Sequence, residues 1–228
     1  MKLNVQAIFN SVDGEINGFS GAGQLCTFIR LRGCNLRCVF CDTKYAQDGS
    51  VKDMKEVDEI LDWPEMLNKV TITGGEPLFQ DITSLVTALV ASDKRVTIET
   101  NGSLVYPVWP LTNGLFDNVR FVVDYKLPSS GVEDKMNALV FEGLRQVDII
   151  KFVILDFNDY YIARGLAVGN TKWEAKKVFS PAIVDQFDYT NWPAALAEMM
   201  IQDAAILQDV QFSLQVHKIL WPNAKVER

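Results

Sequence analysis

The stretch Leu25-Cys26-Thr27-Phe28-Ile29-Arg30-Leu31 empties directly into Arg32-Gly33-Cys34-Asn35-Leu36-Arg37-Cys38-Val39-Phe40-Cys41. Its first seven residues are apolar and β-forming enough to read as a strand. The loop that follows has the spacing C-x3-C-x2-C, which lets three thiols converge from one segment. The same layout returns downstream. Residues 70–73 read as a strand that ends in Gly74-Gly75-Glu76-Pro77, and residues 96–99 as one that ends in Thr100-Asn101-Gly102. When strands repeatedly exit through chemically loaded loops, the expected site lies at the C-terminal ends of a parallel sheet.

Working outward, further strands are expected at residues 5–9, 119–124, 149–155, 178–179 and 210–214, several with the continuous apolar character of buried parallel strands. Helices are expected between them. Behind a capping Asp81, the residues Ile82, Leu85, Val86, Leu89 and Val90 fall at i, i+3, i+4, i+7 and i+8 and share one face. Met54, Val57, Ile60 and Leu61 repeat that pattern, and Pro193 marks the first turn of a helix over residues 192–207. The chain has 228 residues, fewer than the roughly 250 of an eight-unit barrel. The expected fold class is therefore α/β, a truncated, partly open barrel of (β/α)6 type. Residues 1–228 read as one domain, since no linker, repeat or low-complexity tract divides them.

Composition narrows the function. A chain that is 48% hydrophobic and 22% charged can bury a full core. The formal net charge of −7 argues against gripping nucleic acid, which needs clustered Lys and Arg. A small-molecule substrate fits better. The N-terminus lacks the pattern of a signal peptide and the apolar runs are too short to span a bilayer, so a cytoplasmic protein with no membrane partner is expected. In a reducing compartment, three clustered cysteines point to metal or redox chemistry rather than disulfides.

Three thiolates on a four-iron cubane leave one iron open, and an amino acid's amine and carboxylate can chelate it. A reduced cluster can then pass an electron into an adjacent sulfonium. A structural zinc site, with Cys26 or His217 as fourth ligand, would usually show a second paired motif, and none is present. Inert buried thiols are the other alternative. Cys26 itself, inside the apolar strand, reads as a core residue.

The cysteine loop together with Gly74-Gly75-Glu76-Pro77 resembles the radical S-adenosylmethionine (SAM) superfamily. Within it, the chain resembles the 7-carboxy-7-deazaguanine synthase family over most of its length. The ordered matches run from Ile8-Phe9-Asn10-Ser11-Val12-Asp13-Gly14-Glu15 through the cysteine loop to Cys41-Asp42-Thr43-Lys44-Tyr45. They continue with Thr71-Ile72-Thr73 before the glycines, Glu99-Thr100-Asn101-Gly102, Lys126-Leu127-Pro128, Lys151-Phe152-Val153 and Gln215-Val216-His217-Lys218. The resemblance implies a radical SAM barrel. It implies a lyase that converts 6-carboxy-5,6,7,8-tetrahydropterin to 7-carboxy-7-deazaguanine with loss of ammonia, in deazapurine (queuosine and preQ0) biosynthesis. SAM would be regenerated in the reaction. The cofactors implied are a 4Fe-4S cluster on Cys34, Cys38 and Cys41, SAM, and Mg²⁺ held with help from the Thr43 hydroxyl; position alone would read Thr43 as a cap or turn residue.

By the same resemblance, Phe40, Cys41, Asp42 and Gly75 lie along SAM, with Asp124, Tyr125, Lys126 and Ser180 on its other side. Substrate contacts fall to Val12, Asp13, Gly14, Glu15, Arg30, Thr73 and His217, with the Arg30 guanidinium suited to a carboxylate. Glu99 and Asn101 read equally well as strand-end hydrogen bonders. Many family members carry Leu-Gln-Gly-Glu at residues 12–15 and Ser-Pro-Lys at 124–126, where this chain departs. Residues 157–177 match nothing in the family pattern and are expected to be a lineage-specific segment or a partner surface. A homodimer and a flavodoxin or ferredoxin as electron donor are further expectations. The competing readings are a glycyl-radical activase, which would share the cysteine and glycine motifs, and a non-enzymatic zinc-binding module.

Overall fold

The computed structural model describes residues 1–19, 22–105, 115–183 and 191–222. Its strands are β1 (Lys2–Val12), β2 (Leu25–Leu31), β3 (Met54–Glu56), β4 (Lys69–Gly74), β5 (Arg95–Thr100), β6 (Val119–Tyr125), β7 (Ile149–Ile154), β8 (Lys176–Pro181) and β9 (Val210–Phe212). Its helices are α1 (Val57–Leu61), α2 (Thr83–Ala91), α3 (Ala138–Glu142), α4 (Phe157–Gly169), α5 (Trp192–Gln202) and α6 (Val216–Leu220). The strands form one nine-stranded sheet in the order β3-β1-β2-β4-β5-β6-β7-β8-β9. From β2 to β9 every neighbouring pair is parallel. The outer strands β3 and β9 do not pair with each other, so the barrel is partly open.

Side chains alternate across each strand, and here the alternation sorts chemistry. In β4, Val70 and Ile72 join the hydrophobic core, whereas Lys69, Thr71 and Thr73 point the other way. In β7, Ile150, Phe152 and Ile154 join the same core, leaving Lys151 and Val153 on the inner face. The helices cover the apolar side. In α2, Leu85, Val86, Leu89 and Val90 are all buried, along with Ile82 just before it, and Asp81 accepts a hydrogen bond from the Thr83 N–H at 3.0 Å. The inner face is left for polar groups.

The structure alters several sequence expectations. β1, second from one edge, runs antiparallel to both of its neighbours, β2 and β3. Met54 belongs to β3, not to a helix: residues 54–56 pair with 2–4 of β1, and a capping box between Glu56 and Glu59 delays the helix to Val57. The helix that starts at Trp192 ends at Gln202, five residues short of the expectation, and turns follow. Residues 157–177, set apart on sequence, form α4 and its return into β8, a regular βα unit of the sheet. The tail from 223 to 228 lies outside the described residues.

Candidate active site

Register brings the two motifs together. Pairing of Arg30 with Thr73 and of Leu31 with Gly74 sets the exit of β2 beside the exit of β4. The Gly75 N–H donates to the Leu31 carbonyl at 3.0 Å and the Glu76 N–H to the Gly33 carbonyl at 2.8 Å. The cysteine loop also folds onto the segment after it, with Gly33 N–H to Ala46 O at 2.8 Å and Cys34 N–H to Gln47 O at 3.1 Å. A Cβ on Gly75 would stand 2.2 Å from the Gly33 oxygen, and one on Gly74, at φ +145°, 2.1 Å from the Leu31 oxygen. The close approach that these glycines allow is that of the loop's own backbone.

Cys34, Cys38 and Cys41 are free, half-buried thiols on one cavity wall, and burial pushes the first two above the usual thiol range. Cys26 is sealed beneath, facing the Thr71 hydroxyl, with burial pushing its thiol up to about 12. Among the described residues, no three His, Cys, Asp or Glu side chains gather around one point as for a single ion. The Thr43 hydroxyl lies 3.6 Å from the Cys41 sulfur and donates a long bond to the Gly74 carbonyl at 3.4 Å. Thr43 stands at the N-cap of the short helical turn after it, but its hydroxyl makes no capping bond there, and the residue lines the cavity.

The same cavity holds a chain of charges, whose Lys126 and Asp124 act on the Cys38 thiol. Lys151 Nζ lies 2.7 Å from Glu15 and 3.1 Å from Asp124, and Lys126 lies 2.7 Å from Asp124. Burial works against the Lys151 charge, but Asp124, Glu15 and Glu99 hold its pKa well above the ordinary lysine value. Burial likewise opposes the Glu15 carboxylate, yet Lys151 and His217 keep it below the usual range. Glu99, near Thr73, is pushed up to about 7 by burial, with Asp13 and Glu15 adding to the rise against Lys151. Asp13 forms a buried ion pair with Lys69 and accepts from Asn17 at 2.8 Å, which ties down the loop carrying Gly14 and Glu15.

His217 on α6 packs on Gly14, where a Cβ would come within 2.7 Å of its Nδ1. Burial lowers its pKa against the pull of Glu15 and Asp42, so the imidazole is neutral at pH 7. Next to it, Lys218 reaches Asp42 at 3.6 Å and donates to the Ile183 carbonyl at 3.0 Å. The Arg30 guanidinium lies over the rings of Phe9 and Tyr45, at 5.7 and 5.9 Å, and its Nε is buried without a hydrogen-bond partner.

Val12, Asp13, Gly14, Glu15, Arg30, Phe40, Asp42, Thr43, Thr73, Gly75, Asp124, Lys126 and His217 therefore share one cavity with the three cysteines. Tyr125 and Ser180 do not line it. The Tyr125 ring turns to the helix side among Phe141, Phe152 and Trp173. Ser180 is fully buried on β8, its hydroxyl without a partner. Sequence reasoning assigned no site role to Lys151 or Lys218 and left Glu99 and Asn101 open, though all four line the cavity. For Lys151 a signal was present: it is the single charge in the apolar strand Ile149–Ile154.

The radical SAM superfamily pattern matches residues 28–118. The chain is 38% identical over 233 aligned residues to the 7-carboxy-7-deazaguanine synthase of Clostridium acetobutylicum, covering 99% of both chains. The chain belongs to the 7-carboxy-7-deazaguanine synthase family. As a member it is a radical SAM enzyme, with a 4Fe-4S cluster and SAM as cofactors. Among solved structures, QueE from Escherichia coli shares the fold with a TM-score of 0.70 at 21% identity, over 95% of each chain. SuiB from Streptococcus suis, solved bound to S-adenosylmethionine, matches at a TM-score of 0.54 and 17% identity, over 80% of this chain and 45% of that one.

Proposed function

We propose that the protein converts 6-carboxy-5,6,7,8-tetrahydropterin to 7-carboxy-7-deazaguanine with loss of ammonia, in deazapurine biosynthesis. The observation that carries this reading is the shared cavity: an under-bonded arginine and a buried carboxylate network line one space with three free thiols. Cys34, Cys38 and Cys41 hold the cluster. When bound, the cluster supplies one electron to SAM, and SAM supplies the hydrogen-abstracting radical. Phe40, Asp42 and the backbone at Gly75 flank SAM, with Asp124 and Lys126 on its far side.

Arg30 pairs with the substrate carboxylate, its guanidinium within cation–π distance of two aromatic rings. Glu15, kept ionised by Lys151, accepts N–H groups from the guanidine-like edge of the pterin, while Val12, Asp13 and Gly14 offer backbone groups beside it. Neutral His217 and the Thr73 hydroxyl hydrogen-bond the ring from the two remaining sides. The Thr43 hydroxyl, which lines the cavity beside Cys41, would help hold Mg²⁺, a hard cation that commonly takes few protein ligands. Buried walls exclude water from the radical. A homodimer that receives electrons from a flavodoxin or ferredoxin in the cytoplasm completes the reading; no described helix is long and apolar enough to cross a membrane.

The test is an anaerobic assay of the reconstituted enzyme with 6-carboxytetrahydropterin, SAM, Mg²⁺ and a reductant. Formation of 7-carboxy-7-deazaguanine is expected. SAM cleavage without that product would reject the substrate in favour of another radical SAM reaction, and a protein isolated with zinc and no iron or sulfide would reject the cluster.

A further inference from the structure

The loop between Cys34 and Cys38 is locked to the end of β5 by a closed ring of side-chain hydrogen bonds. The Asn35 amide donates to Ser103 Oγ at 2.8 Å, Ser103 Oγ donates to Asn101 Oδ1 at 2.6 Å, and Asn101 Nδ2 donates to Asn35 Oδ1 at 3.1 Å. Asn101 has no freedom to flip. Its Oδ1 also accepts the Ser103 N–H at 3.0 Å, so its NH2 group must face the cysteine loop. From there Nδ2 points its second hydrogen toward the Cys34 sulfur at 3.9 Å. Asn101 is itself buried, 7% exposed, and its backbone N–H is fixed to the Glu76 carboxylate at 2.7 Å. Glu76 also takes the Thr100 hydroxyl at 2.7 Å, so the donor is held by a rigid frame.

We propose that Asn101 is a positioning residue that tunes the cluster, its side-chain amide donating to the Cys34 thiolate and so favouring the reduced state. The inference rests on the reading that Cys34, Cys38 and Cys41 hold the cluster. Reduction adds negative charge to the cluster and its sulfurs, and a fixed N–H dipole in a buried setting stabilises that charge more than it stabilises the oxidised form. Cys34 already accepts the Leu36 N–H at 3.4 Å. The Asn101 amide adds a side-chain donor from outside the loop; a substitution removes it together with the Asn101–Asn35 bond, and Ser103→Ala, which opens the same ring but keeps the Asn101 amide, separates the two effects.

The test compares wild type, Asn101→Ala, Asn101→Ser and Ser103→Ala, each purified and reconstituted without oxygen. Iron and sulfide content and the midpoint potential of the cluster, followed by electron paramagnetic resonance in a redox titration without SAM, are the readouts. All four proteins should carry a full cluster. Both Asn101 variants should titrate at a more negative potential than wild type, while Ser103→Ala, which keeps the Asn101 donor and the Ser103 N–H that orients it, should titrate with wild type. Unmoved potentials in the Asn101 variants, an equal shift in Ser103→Ala, or loss of the cluster from both Asn101 variants would overturn the inference, the last because it would make Asn101 only an anchor of the loop. A wild type that takes up no cluster would instead overturn the cluster reading itself, and this inference with it.

Discussion

Replacing Lys151 with Met should destabilise the fold by about 3 kcal/mol, at the low end of the ~3–5 kcal/mol seen when one partner of a buried ion pair is removed. Lys151 sits 2.7 Å from Glu15 and 3.1 Å from Asp124, with the three side chains 9%, 12% and 21% exposed. At an effective dielectric of ~20, each attraction is gross ~5–6 kcal/mol before desolvation is subtracted. Two remaining contacts keep the loss from being larger: Asp124 retains Lys126 at 2.7 Å and Glu15 retains Gln215 at 3.0 Å. Urea unfolding of the cluster-free protein reads the effect as a lower midpoint at unchanged slope. Adding Glu15→Gln should recover part of the loss, since the unpaired buried charge is then gone. The pH dependence has a definite sign. Both carboxylates are held below their usual pKa, so in wild type their contribution is present above about pH 4 and lost as pH falls through the lowered folded values. In Lys151→Met that acid-side loss should begin at higher pH. A cost below ~1 kcal/mol, with no change in the acid limb, would refute the buried-network reading.

Gly75→Ala should cost at least ~1–3 kcal/mol and lower the iron bound per chain, because its Cβ meets a backbone carbonyl rather than a movable side chain; iron analysis and urea unfolding check both. Thr43→Ala should raise the Mg²⁺ concentration for half-maximal activity by roughly tenfold with cluster content unchanged. Loss of the cluster instead would show Thr43 to be a structural part of the loop. Glu99, raised to about 7 from an unfolded value near 4.3, binds an extra proton in the folded state between those values, so wild-type stability should fall as pH rises through that window. Glu99→Gln should flatten that limb and gain up to about 3 kcal/mol at pH 8, read by urea unfolding across pH.

The parts of the fold that were legible in the sequence are those where one periodicity dominates. Ile82, Leu85, Val86, Leu89 and Val90 share a helical face that only one packing surface can satisfy, and all are buried against the sheet. Met54 misled because its spacing to Val57, Ile60 and Leu61 fits a helix equally well. What decides for β3 is the edge of β1, a neighbour fifty residues away in sequence that supplies the pairing for residues 54–56. Edge pairing is non-local, so no window of sequence contains it. Residues 157–177 match no family motif, yet their local signals are plain, with Asp156 capping the crossover helix α4 through the Asp159 N–H.

The site divides along the same physical line. Cysteine spacing and the paired glycines are local signals, and they led to residues that share one cavity. Asp124-Tyr125-Lys126 was carried over as a unit, but consecutive residues leaving a strand cannot all present side chains to one face, and Tyr125 turns to the helices while its neighbours turn inward. The period-two rule that places Val153 beside Lys151 on the inner face would have separated them. Lys151 could be suspected from its apolar surroundings, yet its partners Glu15 and Asp124 come from the loop after β1 and from β6, and only the folded sheet brings both within 3.1 Å of it. Asn101 shows the limit most clearly. Its neighbours in sequence make it a strand-end hydrogen bonder, and it is one, to Ser103. That same bond turns its amide toward Cys34, so the local role produces the distant one.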